Sequence, residues 1–218
     1  MKNIINEFYK NMINNPQNDF AIYIDNNKKI HNLKFEEIQK YILSTRNLIG
    51  IGNYKEKIGI LIENNLEFVK AFCSILYNGY IVVGIDPQIN DEGLDKIIEE
   101  NNLTKIITNN DNEGKLEKYK TKIINIEKMK INELTNEKLN LIESSLSDLI
   151  IISYTSGTSG KFSKGVKLTN KNISFVSEEY RKVYNLKEDS KIITVLPLWH
   201  NYAMFACLTS SMMANSKI

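Results

Sequence analysis

The chain alternates short, wholly apolar runs with longer stretches in which apolar residues recur every three or four positions. Residues 1–15 place Ile4, Ile5, Phe8, Tyr9 and Met12 at helical spacing, and Pro16 ends that pattern. Residues 20–25 (FAIYID) read as a strand and 26–29 as a turn, so 30–33 can return as the second arm of a hairpin. Residues 34–48 are helical through Phe35, Ile38, Tyr41, Ile42 and Thr45, and Gly50 and Gly52 end them. The run 58–62 (IGILI) predicts a strand buried on both faces. A helix follows over 66–77, with Phe68, Val69, Phe72, Ile75 and Leu76 inward and Gly79 after its end, and then a second buried strand over 80–85 (YIVVGI). Strand, helix and strand in such short compass predict a βαβ unit with parallel pairing.

The pattern continues with a helix over 91–102, a strand over 105–108, a polar loop with some helix over 109–120 and a strand over 123–126. Residues 127–147 mix charged and apolar positions without a period and read as a connecting segment, partly helical. Residues 149–154 form a strand, 166–168 a return strand, and Thr169 is suited to N-cap a helix over 170–184. A further strand is expected over 190–196 (SKIITVL) and a buried helix over 201–214. The expected fold is α/β, built mostly from parallel βαβ units. A first subdomain spans 1–148; residues 149–218 hold a loop-bearing β-hairpin and the start of a second subdomain.

Composition narrows the partners. With 28 basic and 26 acidic residues the net charge is +2, so there is no global footprint for nucleic acid and any anion site must be local. The first residues lack a signal-peptide core, and no run reaches the roughly 18 apolar residues of a membrane helix, which predicts a cytoplasmic protein with no membrane span. Cys73 and Cys207 sit in apolar surroundings and read as buried free thiols. His31 stands alone and reads as a strand or surface histidine. No metal-ligand cluster is legible.

One local site stands out. After the apolar strand come Thr155, Ser156, Gly157, Thr158, Ser159 and Gly160, then Lys161, Lys164, Lys167 and Lys171, and no Asp or Glu occurs between Asp148 and Glu178. Glycines let backbone N–H groups turn outward, hydroxyls add donors and lysines offset charge, which is the chemistry of a phosphate-cradling loop. It is not a Walker A loop, because Val166 and Lys167 follow Gly165, and it is not a dinucleotide fingerprint. A solvated surface hairpin is the competing reading.

The stretch from Tyr154 to Gly160, followed by Lys164-Gly165-Val166 and Leu168-Thr169, resembles the signature of the adenylate-forming (AMP-binding) enzymes. These are the acyl- and aryl-CoA synthetases, the adenylation domains of nonribosomal peptide synthetases and the luciferases, whose usual pattern is T-S-G-T-T-G, a variable residue, then P-K-G-V. The resemblance continues in Leu33-Lys34-Phe35-Glu36-Glu37-Ile38, in the strand before Asn64-Asn65, in Leu76 to Asp86, and in Leu196-Pro197-Leu198-Trp199-His200, similar to the L-P-L-F-H of acyl- and aryl-CoA synthetases.

The resemblance implies a two-step reaction. A carboxylate attacks the α-phosphorus of ATP to give an acyl-adenylate and pyrophosphate, and a thiol of coenzyme A or of a carrier protein's phosphopantetheine then takes the acyl group. It implies that Thr155, Ser156, Gly157, Thr158, Ser159, Gly160 and Lys164 hold the β- and γ-phosphates, with Mg²⁺ arriving with the nucleotide and Thr158 near it. It implies that Trp199 and His200 line the acyl pocket and thiol gate; with Met204 they suggest an apolar or aromatic acid. The chain departs from the pattern in three ways. Three residues rather than two separate Gly160 from Lys164, with no proline; Asn170 stands where histidine is common; and the chain is much shorter than family members, without their later motifs and C-terminal domain. The expectation is an N-terminal portion that does not complete adenylation alone. The alternatives are a non-catalytic nucleotide- or partner-binding remnant, or an amino-acid adenylation domain.

Overall fold

The computed structural model describes residues 2–131, 138–155 and 164–218. Its centre is a six-stranded sheet in the order β6-β5-β3-β4-β7-β8, made of β3 (Lys57–Leu61), β4 (Ile81–Gly84), β5 (Lys105–Thr108), β6 (Lys122–Asn125), β7 (Leu149–Thr155) and β8 (Lys164–Thr169). The first five are parallel and only β8 runs against its neighbour. The α/β class and parallel pairing expected from the apolar runs are present.

Both faces of the sheet are covered, which is why its strands are continuous apolar runs. On one face Ile58, Ile60, Val82, Ile107 and Ile151 meet α1 (Ile4–Asn14), α2 (Phe35–Ile49), α3 (Leu66–Tyr77) and α5 (Asn170–Val183). On the other, Leu61, Ile81, Val83, Ile106 and Ile152 meet Leu94 and Ile97 of α4 (Asp91–Asn101) and Leu116 of a 3₁₀ turn, Glu113–Leu116. The chain crosses from β3 to β4 through α3, then turns back past β3 to β5 through α4. The loops that leave the carboxyl ends of β3 and β4 border a crevice lined by Glu63, Asn64, Asp86, Pro87 and Gln88.

Outside the sheet, β1 (Asp19–Ile24) and β2 (Ile30–Lys34) form the expected antiparallel hairpin. His31 lies on it, paired with Asp25 at 2.9 Å. Phe8, Phe20 and Phe35 cluster edge-to-face and stacked behind it, with Phe8 and Phe20 centroids 4.8 Å apart. Cys73 and Cys207 are buried and free, as their surroundings predicted.

Two expectations are corrected. Residues 190–196 are not a strand: Lys191 makes a single bridge to Lys217, while Ile193 and Val195 are 87% and 85% exposed. The β-branched run Ile192-Ile193-Thr194-Val195 favours extended backbone, but a strand exists only where a neighbouring strand pairs with it, and among the described residues none does beyond that bridge. The expected single helix over 201–214 is α6 (Asn201–Ala203), a π-helical segment (Met204–Thr209) and α7 (Ser210–Ala214). Within it the Ser210 hydroxyl donates back to the Ala206 carbonyl at 2.5 Å, and Thr209 Oγ1 to Phe205 O at 3.4 Å. Such back-bonding competes with the α ladder. Residues 127–131 and 138–147 carry no helix, and 132–137 fall outside the described residues.

Candidate functional site

The hairpin β7–β8 begins in the sheet's interior. Ile150, Ile151, Ile152 and Ser153 are at most 2% exposed, and β7 pairs with β4 through Val82–Ile151, Val83–Ile152 and Gly84–Ser153. Because β7 is parallel to β4, its end at Thr155 emerges at the carboxyl edge, beside the crevice. Antiparallel pairing with β8 runs to the last rung, Thr155 opposite Lys164. Of the residues expected to hold phosphate, this places Thr155 and Lys164 as neighbours across the hairpin's base. Ser156, Gly157, Thr158, Ser159 and Gly160 lie outside the described residues, as do 161–163. Lys164, Lys167 and Lys171 are exposed, and ion pairs among the described residues use none of them.

Tyr154 fixes this base to α4. Its hydroxyl accepts from Asn101 Nδ2 at 2.5 Å and donates to Glu100 Oε2 at 3.3 Å. Burial, more than the Glu100 charge, pushes the phenol's pKa up, and the Asn101 hydrogen bond opposes this. The ring lies across Gly165, where an added Cβ would come within 3.2–3.3 Å of Tyr154 and Ile152. Glycine at 165 therefore gives the ring its seat. At the far end of β8, Thr169 caps α5 as expected: its hydroxyl accepts from Asn172 N at 3.2 Å, and Asn172 Oδ1 accepts from Thr169 N at 3.0 Å. Asn170, fully buried, donates to Ser144 and Ser145 and accepts from Ser174, whose hydroxyl in turn accepts from Ile4 N. Its role is to tie α5 to α1 and the 144–145 segment.

Trp199 reaches the crevice from the other side. An added Cβ on Gly84 would lie 3.3 Å from Trp199 Cβ, so the tryptophan backbone rests directly on the end of β4. There it lines a cavity of roughly 500 Å³ with Glu63, Asp86, Lys115 and Pro197. Glu63 is braced by Asn109 and Asn112 at 3.1 and 2.7 Å, and Lys115 donates to Pro87 O. His200 is exposed and does not line this cavity. Its Nδ1 accepts from Tyr202 N at 3.3 Å, capping α6, and its ring centroid is 6.4 Å from that of Trp199. Met204 is buried. The pair expected to act together is thus divided, with Trp199 facing the crevice and His200 facing outward. Gly84 pairs with Ser153, so Trp199 and the hairpin base stand at the ends of adjacent strands.

Sequence reasoning passed over Asn64. Its side chain joins the β3 loop to Leu196 and Leu198, 132 and 134 residues away. The one local signal was the Asn64-Asn65 doublet, of which Asn65 is the N-cap of α3, accepting from Phe68 N at 3.1 Å. No group of three or more His, Cys, Asp or Glu side chains among the described residues could hold a metal, and no described helix is long and apolar enough to cross a membrane.

The chain resembles known proteins along its whole length. It is 28% identical to a 4-coumarate–CoA ligase of Vanilla planifolia over 244 aligned residues, covering 90% of this chain and 44% of that protein. It is 35% identical over 116 residues to gramicidin S synthase 2 of Brevibacillus brevis, covering 53% of this chain and 2% of that protein. Its fold superposes on the fatty acyl-adenylate ligase of L. pneumophila, solved with acyl adenylate and pyrophosphate, with a TM-score of 0.85 at 18% identity. That match covers 99% of this chain and 38% of the other, so the chain spans less than half the length of these relatives. Residues 43–218 match the family model described as AMP-binding enzyme, and the chain belongs to that family.

Proposed function

We propose that the chain supplies the N-terminal, pyrophosphate-holding part of an ATP-dependent carboxylic acid:thiol ligase. The observation that carries this reading is the pairing of Thr155 with Lys164 at the carboxyl edge of the sheet, at the base of the Tyr154–Gly160 motif. The carboxylate oxygen of the acid bonds to the α-phosphorus of ATP and the bond to the pyrophosphate leaving group breaks; a thiol then displaces AMP. Negative charge grows on the pyrophosphate as that bond breaks, and donors and a cation already aimed there lower the barrier. Thr155, Ser156, Gly157, Thr158, Ser159, Gly160 and Lys164 hold the β- and γ-phosphates. Mg²⁺ enters bound to the nucleotide, with Thr158 near it. Trp199, at the crevice, and His200 beside it belong to the acyl pocket and thiol gate.

The acceptor is coenzyme A or a carrier-protein phosphopantetheine. The vanilla and Legionella relatives, named for coumarate and fatty acyl groups, favour an aryl or aliphatic acid. The gramicidin S synthase match favours an amino acid as the second reading. Carboxylate-dependent ATP–pyrophosphate exchange by the enzyme that carries this chain tests the proposal, with aryl acids, fatty acids and amino acids as separate arms. Exchange with one class supports it and identifies the acid; no exchange with any of them contradicts it.

A further inference from the structure

The backbone of residues 193–197 has very few ties. On one side Ile192 N donates to Lys217 O at 2.9 Å, and on the other His200 N donates to Pro197 O at 2.9 Å, a bond internal to the turn. Between them, no backbone–backbone hydrogen bond is made among the described residues, and Pro197 has no N–H to offer. Ile193 and Val195 face solvent. Yet Leu198 is 3% exposed and Trp199 rests on Gly84. Something must seat this stretch, and the seat comes from the loop after β3. Asn64 Nδ2 donates to Leu196 O at 2.7 Å, and Asn64 Oδ1 accepts from Leu198 N at 2.6 Å.

We propose that Asn64 is the positioning residue that seats the 196–199 segment, and with it Trp199, on the carboxyl ends of β3 and β4. Two features make the assignment specific. An amide is the side-chain group that both accepts from an N–H and donates to a C=O at this reach; a carboxylate accepts only, and an aliphatic isostere does neither. Asn64 also lines both cavities that flank the segment. One is the cavity of mixed lining shared with Trp199; the other, about 480 Å³, is mostly apolar, with Ile22, Leu66, Val69 and Ile192 in its walls. The neighbouring Asn65 caps α3, which holds the backbone that carries Asn64 in place. Asn64 thus links the first crossover of the sheet to the segment that presents Trp199 and His200.

The functional meaning of the clamp rests on the proposed acyl-side role of Trp199, but the clamp itself is tested without substrate. Trp199 is the single tryptophan among the 218 residues, so its emission reports this segment directly. Wild type, Asn64→Leu and Asn64→Asp are compared by amide hydrogen exchange of Leu198 and by acrylamide quenching of Trp199. The Leu198 N–H is expected to be protected in wild type, to lose roughly thirtyfold of that protection in Asn64→Leu, the factor two ordinary hydrogen bonds carry, and to keep most of it in Asn64→Asp. Quenching should rise from wild type through Asn64→Asp to Asn64→Leu. Should Asn64→Leu not fold, the wild-type exchange rate decides alone. Leu198 exchanging as fast as Val195 in wild type, or equal rates and quenching in all three folded proteins, overturns the clamp. Loss of carboxylate-dependent exchange chemistry would strike the proposed function and leave these readings untouched.

Discussion

Replacing Tyr154 with Phe isolates the hydroxyl that ties the hairpin to α4, because the ring keeps its seat over Gly165. The Asn101 amide nitrogen makes two hydrogen bonds, to Ile97 O at 2.9 Å and to Tyr154 at 2.5 Å. Asn101 is 6% exposed, so the substitution strands one of its N–H groups away from water. A stranded buried donor costs about 1–3 kcal/mol, whereas the hydroxyl's 3.3 Å bond to Glu100, whose side chain is 47% exposed, adds little. The expected loss is about 1.5 kcal/mol, or roughly 3–6 °C in Tm for a chain of this size. Urea unfolding should show a lower midpoint with an unchanged slope. Asn101→Ala should cost less in the Tyr154→Phe background than in wild type, since the two substitutions break the same bond. An unfolding free energy within about 0.3 kcal/mol of wild type, or strictly additive effects, would refute the view that this bond secures the hairpin base.

Gly79→Ala should cost several kcal/mol, because Gly79 has φ +78° and an added Cβ would sit 2.6 Å from Gly52 O, a backbone atom; a thermal melt checks it, and a shift under 2 °C contradicts it. Tyr77 and Tyr54 are buried, and burial raises both phenols' pKa values above the usual 10. A raised folded pKa means that their contribution is complete below about pH 10 and is lost as pH rises beyond it. Stability should therefore fall above pH 10, with tyrosinate absorbance from these residues appearing together with unfolding rather than before it. At the acid end, Glu178 is held below its usual range first by Arg181, which donates through Nε and Nη2 at 2.7 Å each. Its stabilisation is present above about pH 4.5 and lost as pH falls below that, so Glu178→Gln should flatten the acid limb of the pH–stability curve.

Most of the architecture was legible because local chemistry and final burial agree. Helix 66–77 and strand 105–108 have the bounds their apolar spacing gives, and Thr169 caps α5 as a threonine before a helix should. The order of the strands was not legible. Nothing in the residues of β5 says that it returns past β3 instead of continuing beyond β4. The 190–196 segment misled because a strand pattern states a preference for extended backbone, while pairing depends on what lies alongside. The π-helical segment was hidden by a run apolar on nearly every side, which fixes burial without fixing hydrogen-bond register. At the site, the strand over 149–154 and its return strand were readable, and β7's parallel pairing puts the base of the hairpin, Thr155 opposite Lys164, at the sheet edge. Asn64 was not readable, since a contact across more than a hundred residues leaves no local trace. Nor was the divergence of Trp199 and His200, which follows from the turn that precedes α6.

In the proposed function the hairpin base holds pyrophosphate through Lys164. Calorimetric titration of the chain with magnesium pyrophosphate, comparing wild type, Lys164→Ala and Lys171→Ala, tests it most directly. Wild type should bind weakly, with affinity lowered roughly tenfold or more by Lys164→Ala, as for a lost charge-assisted contact, and little changed by Lys171→Ala. Equal affinity of wild type and Lys164→Ala would contradict it.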